Sequence, residues 1–249
     1  ATVKLTLCTL TSPRRSTEWT TGFCRRNWRP WALRGSLLAW ISDYISNRSQ
    51  VVLLNNFIKS NPIEVLSGVP QGGHLSPLLF NCFINDVVKY IKHSKFLLFA
   101  DDLKLFITVR DLVDCNKLQC DLDGLVTWCS LNAMDLNINK CKCVNFYRKK
   151  TPIIFNYTIN NSVLENVQTI KDLGILFDNK LTFVEHINYI VNRSYKMLGF
   201  VRRQLQDFDV KCIITVFTAY VRSVLEFNSL IWAPYYNAHI NNLERVQNK

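Results

Sequence analysis

The sequence predicts an α+β fold, with short strands laid down as hairpins, one long helix to cover a sheet face, and a mostly helical C-terminal part. Three observations carry this. "KFLLFADDLKLF" (residues 95–106) reads as two strand-like apolar runs around a tight turn. "DLVDCNKLQCDLDGLVTWCSLNAM" (111–134) repeats Leu118, Leu122, Leu125, Val126 and Cys129 at helical spacing, with acids expected on the other face. From Phe183 onward the pattern is predominantly helical.

The elements follow in order. Residues 1–34 stand apart: they hold three of the six Trp and seven basic residues against a single acid, Glu18, with no sustained helical or strand period. More than half of the chain's net charge of +11 lies there. At Gly35 regular patterning begins, and "GSLLAWISDYISNR" puts Leu37, Leu38, Trp40, Ile41, Tyr44 and Ile45 near one helical face. "QVVLLNN" and "NPIEVLSGV" alternate as a strand pair joined through "FIKSN". "GVPQGGHLSPLLFNCFINDVVKYI" is a glycine-bearing loop running into a helix that should end near Ile91, with Ser76 as the expected N-cap and Pro77 in the first helical position. After the 95–106 hairpin and the long helix, short strands are expected at "CKCVNFY", "IIFNYTI" and "DLGILFD".

Composition narrows the classes. With 249 residues and 48% hydrophobic content the chain is globular. The basic surplus favours a polyanionic partner. Nine cysteines without a CxxC pair, beside four scattered histidines, exclude a zinc-site spacing and fit reduced thiols in an intracellular protein of the nucleus or cytoplasm rather than a secreted one. No apolar run approaches the roughly 18 to 20 residues that cross a bilayer, so no membrane role is expected. Ala1 in place of an initiator Met reads as the start of a fragment.

The chemistry centres on Asp101 and Asp102. Two like charges in an apolar hairpin are costly unless a cation faces them, and a divalent metal is the obvious one. Two Mg²⁺ ions about 3.5 to 4 Å apart clamp an in-line phosphoryl displacement, and such ions need only two or three carboxylates because they keep several waters. A lone "DD" more often marks a solvated turn. The loop before Ser76 adds a second signal, because amides at Gly72, Gly73 and the helix N-terminus suit a phosphate or a closely approaching base. Loop, helix and carboxylate hairpin fall within 35 residues.

"SGVPQGGHLSPLLFNCFIND" followed by "LLFADDLKLF" resembles the B and C motifs of reverse transcriptases in the form used by non-LTR retrotransposons, with "FADD" in place of the commoner "YADD". "LQCDLDGLVTWCSLNAMDLNINKCKCVNFYR", "IKDLGILFDNKLTFVEHI" and "YVRSVLEFNSLIWAPYY" extend the similarity to jockey-like elements from Gly35 to Lys249. The resemblance implies a polymerase palm, an antiparallel sheet backed by helices, with partial fingers and a helical thumb. Residues 35–66 would be partial fingers and palm, 67–180 the palm, and 181–249 the thumb. Asp101 and Asp102 would hold the metals, and Lys140 would act near the leaving pyrophosphate. Pro70, Gln71, Gly72 and Phe99 would border the incoming nucleotide, template and primer end. Leu173 and Gly174 would grip the primer. Lys196, Arg202, Arg203 and Arg222 would track duplex phosphates. The implied partners are an RNA template, a DNA primer and deoxynucleoside triphosphates. A group II intron or retron type shares "PQGGxxSP", but "FADDLKLF" and "WCSLNAMDLNINKCK" resemble the retrotransposon form more.

One part of the pattern is missing. The family places another metal-binding Asp upstream, in a stretch of the type "YTDFxKAFDxVxH", and no aspartate precedes Asp43 here. Asp43 lies in the amphipathic 35–48 segment and Asp86 in the helix after the glycine loop, so neither stands in for it. Written in permissible codons and read one base out of register, "LCTLTSPRRSTEWTTGFC" gives "LYTDFTKAFDRVDHGLL". The first Asp then straddles Leu10 and Thr11, the second Ser16 and Thr17. "RRNWRPWAL" likewise gives "QEELAALG". The expectation is that residues 1–34 are a frameshifted translation and that the chain, as written, is a very weak polymerase or a dead one. The coding DNA across residues 1–40 tests this: codons incompatible with the shifted peptide would sink it. A non-catalytic RNA or RNA–DNA duplex-binding remnant is the competing expectation.

Overall fold

Antiparallel pairing organises the molecule. The computed structural model describes residues 2–11, 34–55, 57–65, 68–148 and 152–248, and the chain divides into two units, Ala1–Asn145 with Lys149–Asn166, and Phe146–Arg148 with Val167–Lys249.

In the first unit a six-stranded sheet has the order β12-β9-β1-β7-β6. Its strands are β1 (Thr2–Thr11), β6 (Lys95–Phe99), β7 (Asp102–Val109), β9 (Lys142–Phe146) and β12 (Glu165–Val167), with β8 (Asp135–Leu136) pairing the end of β1. β1 is the unexpected member. The N-terminal segment, read as lacking a strand period, supplies the strand between β7 and β9, in register from Thr2↔Val109 to Thr9↔Asp102. Its C-terminal end pairs β8 at Leu10↔Leu136 and Thr11↔Asp135. The rest of the segment, residues 12–33, with the Ser16–Thr17 position, lies outside the described residues.

Helix α1 (Gly35–Ile45) leads to two short ladders in place of the single strand pair expected from sequence, one of them using Ile58–Lys59 from the stretch read as the connection. β2 (Arg48–Gln50) pairs β5 (Ile63–Val65), and β3 (Leu53–Leu54) pairs β4 (Ile58–Lys59). α1 packs Ile41 with Leu38, Tyr44 and Ile45 against Leu79 of α2 (Ser76–Ile84), leaving Leu37 and Trp40 about half exposed. The apolar face is thus narrower than the sequence reading. α2 continues as a 3₁₀ turn over Asn85–Tyr90 and stops at Ile91. Its N-cap is Leu75, not Ser76: the Ser76 hydroxyl instead donates to the carbonyl of Pro70, closing the glycine loop.

α3 (Leu112–Leu131) covers one face of the sheet, burying Cys115, Leu118, Leu122, Leu125 and Trp128 against Leu103, Leu105 and Val109 of β7. Asp111 caps it by accepting from the Asp114 amide. Full burial of each such leucine contributes about 1.5–3 kcal/mol. One acid departs from the polar face predicted for this helix. Asp121 is 1% exposed, and its carboxylate accepts from the backbone N–H groups of Lys92 (2.8 Å), His93 (3.0 and 3.2 Å) and Ser94 (2.6 Å). Trp128 Nε1–H donates to Asp86 Oδ1 at 2.6 Å. These hydrogen bonds tie α3 to residues 86–94, the stretch that precedes β6.

The second unit starts with a hairpin, β13 (Thr169–Asp172) and β14 (Ile175–Asp178), in register from Thr169↔Asp178 to Asp172↔Ile175. β10 (Thr158–Ile159) and β11 (Ser162–Val163) form a separate small hairpin in the first unit. Asp178 accepts from the N–H groups of Lys180 and Phe183 and from the Thr182 hydroxyl, and so sets the start of α4 (Val184–Gln204). Burial pushes its carboxyl up, and these hydrogen bonds outweigh that and hold it below the ordinary aspartate value. α4 packs with α5 (Val210–Phe217, continued through Thr218–Arg222 and Ser223–Glu226), α6 (Ser229–Trp232) and α7 (Asn237–Gln247). Among the described residues no helix is long and apolar enough to cross a membrane, and the described cysteines are free thiols.

Candidate active site

Strands β6 and β7 pair from Lys95↔Phe106 to Phe99↔Asp102, which leaves Ala100 and Asp101 as a two-residue turn. Ala100 has φ +51°. A residue with a Cβ in this left-handed region costs about 1 kcal/mol, so the tip is locally strained. Asp101 is exposed at the tip and Asp102 is half-buried as the first residue of β7. Phe99, its cross-strand partner, is 62% exposed.

Asp102 also faces position 9 of β1. Beyond it β1 pairs β8, and the short 3₁₀ turn Ile138–Lys140 packs against β1. Phe99, Asp101, Asp102 and Lys140 therefore gather toward one end of the central sheet, with Lys140 exposed. Sequence reasoning did not single out Asp135, which pairs with Thr11 at this same end. Only the pairing of β1 with β8, absent from the sequence reading, reveals it.

The glycine loop stands at the α1–α2 corner. Pro70 is half-buried and Gln71 and Gly72 are exposed, Gly72 with φ +79°. Gly73 is required by close approach, since a Cβ there would meet the Tyr44 hydroxyl, with Ser76 Oγ at 2.9 Å.

The remaining candidates belong to the second unit. Leu173 (φ +42°) and Gly174 (φ +91°) form the two-residue turn of the β13–β14 hairpin, as the primed turns that suit hairpin twist require. A Cβ on Gly174 would sit 3.0 Å from the Phe227 ring, and Leu173 is 43% exposed. Lys196, Arg202 and Arg203 are exposed on α4. Lys196 and Arg203, seven residues apart, share one face, while Arg202 points about 120° away. Arg222 Nε donates to Glu226 Oε1 at 2.6 Å in an exposed ion pair, so a phosphate would have to compete for it.

A two-metal centre needs acids that converge on the ions. Among the described residues no group of three His, Cys, Asp or Glu side chains converges to hold a metal ion. Asp101 and Asp102 alone, one at an exposed tip, do not fit a complete centre. The expected third position, between Leu10 and Thr11, falls where β1 pairs β8 and carries no acid.

Residues 26–201 match the family described as reverse transcriptase (RNA-dependent DNA polymerase). The chain is 23% identical over 220 residues to an RNA-directed DNA polymerase from mobile element jockey of Drosophila melanogaster, covering 84% of this chain and 24% of that protein. It is 27% identical over 226 residues to a probable RNA-directed DNA polymerase from transposon BS of the same species, with the same coverage of each. Against the jockey polymerase of Drosophila funebris it is 31% identical over 131 residues, 49% of this chain and 14% of that one. The chain spans about a quarter of the length of the first two relatives. With well over half of its residues inside the matched region, and loop, helix and paired-aspartate hairpin in family order, this α+β chain belongs to the reverse transcriptase family, in its jockey-like form.

Proposed function

We propose that the chain is the palm and thumb region of a non-LTR retrotransposon RNA-directed DNA polymerase, with very weak or no activity as written. The ancestral reaction is template-directed transfer of a deoxynucleotide to a primer 3′-hydroxyl, with release of pyrophosphate. The observation that carries this reading is the Phe99–Asp102 hairpin end, with Asp101 and Asp102 beside the end of a central strand that lacks its acid.

The family uses divalent metal ions, and Mg²⁺ is the one proposed here. Asp101 and Asp102 are its remaining ligands. In the ancestral site Lys140 neutralises charge on the departing pyrophosphate, Pro70, Gln71, Gly72 and Phe99 border the nucleotide and template, and Leu173 and Gly174 hold the primer. Residues 35–66 act as partial fingers, 67–180 as palm and 181–249 as thumb, whose Lys196, Arg202, Arg203 and Arg222 follow the duplex backbone. Primer extension by the purified chain on an RNA template, with Mg²⁺ or Mn²⁺, tests the proposal. Traces of product or none are expected, and robust DNA synthesis would overturn the inactivity.

The lack of a three-acid group among the described residues favours a second reading, a duplex-binding remnant. It predicts salt-dependent RNA–DNA affinity that Asp101→Ala leaves unchanged.

A further inference from the structure

The β13–β14 hairpin is a two-stranded sheet, with no third strand beside it among the described residues. Such a ladder is only marginally stable alone, so what packs on it decides how its tip is held. On its inner face Ile175 and Phe177 cluster with Ile187 and Ile190 of α4 and with Trp232 of α6. The tip, Leu173 and Gly174, has a support of its own. The three atoms nearest to a Cβ on Gly174 would all belong to Phe227: Cε1 at 3.0 Å, Cζ at 3.6 Å and Cδ1 at 3.9 Å. The ring edge therefore lies against the glycine backbone, an approach that a side chain at position 174 would block.

Phe227 is itself fixed in place. It leaves the end of α5 at φ −56° and ψ 118°, and Asn228, at φ +52°, turns the chain into α6. A carbonyl at a helix end lacks an intrahelical donor. Trp232 reaches back to supply one, its Nε1–H donating to the Phe227 carbonyl at 2.8 Å. The buried Trp232 indole meets the His186 ring edge to face, with centroids 5.2 Å apart. His186 Nδ1 in turn accepts the Leu176 amide of β14 at 3.3 Å. Leu176, His186, Trp232, Phe227 and Gly174 thus form a closed circuit of contacts that begins and ends on the hairpin.

We infer that Phe227, braced by Trp232, is the positioning residue of the Leu173–Gly174 turn, and that binding of a primer end at this turn depends on the Phe227 ring. Phe227 acts through the turn: its ring limits how far the Gly174 backbone can retreat, while Leu173 stays exposed beside it. The bearing on the primer end rests on the grip role proposed above for this turn; the contacts themselves do not.

The test uses the full chain and fluorescence anisotropy with two ligands: an RNA template carrying a DNA primer with a recessed 3′ end, and the same duplex with both ends closed by hairpin loops. Phe227→Ala should weaken binding of the recessed end about tenfold and leave the closed duplex within about twofold of the parent. Phe227→Tyr, which keeps the ring, should match the parent, and Trp232→Phe, which loses the Nε1–H donor, should fall between. Phe227 is 52% exposed, and urea unfolding checks that Phe227→Ala stays folded; Phe227→Leu should give a smaller loss of the same kind. Gly174→Ala pushes a methyl into the ring, so in that background Phe227→Ala should cost nothing further or restore part of the loss. Additive losses would overturn the positioning role. A loss with Gly174→Ala but none with Phe227→Ala would overturn the inference and leave the grip reading standing. Equal binding of the two ligands by the parent, unchanged in every variant, would overturn the grip reading and the inference with it.

Discussion

Thr11→Asp should weaken the protein when divalent metal is absent and make its stability depend on metal when it is present. Position 9 faces Asp102 across β7, and position 11 faces Asp135 across β8. By the two-residue period of a strand, 9 and 11 share a face, so a carboxylate at 11 joins the face of Asp102 and Asp135. One strand sideways and two residues along put the Cα atoms of positions 11 and 102 roughly 8 Å apart. With carboxylates converging to about 6 Å, an effective dielectric of 20 gives about 3 kcal/mol of repulsion for each pair. Exposure and salt cut this to a net loss of about 1–2 kcal/mol. Mn²⁺ at a hundred times its dissociation constant would return about 2.7 kcal/mol. The assay is thermal unfolding in chelator and in Mn²⁺, with primer extension alongside. Leu10→Asp is the control: position 10 pairs with Leu136 and falls on the face of buried Leu103, so it should lose stability that metal does not restore. A Thr11→Asp protein with no metal-dependent shift, or equal rescue of Leu10→Asp, would refute the reasoning.

Three further outcomes are expected. Asp121→Ala removes the acceptor shared by three successive amides, and should cost about 3 kcal/mol in urea unfolding. Gly174→Ala, with φ +91° and the Phe227 ring 3.0 Å from the new methyl, should cost about 1–2 kcal/mol, while Leu173→Gly at φ +42° should add a few tenths to 1 kcal/mol. His186 is 1% exposed and accepts the Leu176 amide at Nδ1, and burial lowers its pKa. Its neutral form is thus favoured in the fold, the unfolded chain takes up the proton first, and stability should fall as pH drops through about 6.5. His186→Gln should flatten that part of the pH profile, measured as thermal midpoint against pH.

Much of the first unit was legible because its signals are local. The Phe99–Asp102 turn and the stop at Ile91 follow from alternation and helix length, signals carried by neighbouring residues. What was not legible depends on partners far away in sequence. Asp121 reads as an exposed helix acid until three amides 27–29 residues earlier converge on it. Ser76 has the chemistry of a cap, but the carbonyl of Pro70 takes its hydroxyl. Lys104 looks like an ordinary charge on an alternating strand, because the strands flanking β7 that bury it are not evident from "DLKLF". β1 escaped notice for a related reason: "TVKLTLCTLT" is a modest pattern that gains meaning only beside β7 and β8.

The position of β1 also bears on how the chain is made. β1 lies inside the sheet, yet its partners on either side, β7 and β9, are synthesised about a hundred or more residues after it. At about 5–20 residues per second, β1 waits roughly 5–20 s on the ribosome with both edges open. An unpaired, threonine-rich strand in that interval is a template for the wrong neighbour, including another nascent copy of itself. Yield of folded protein should therefore depend on chaperone supply during synthesis more than the final stability of the sheet would suggest.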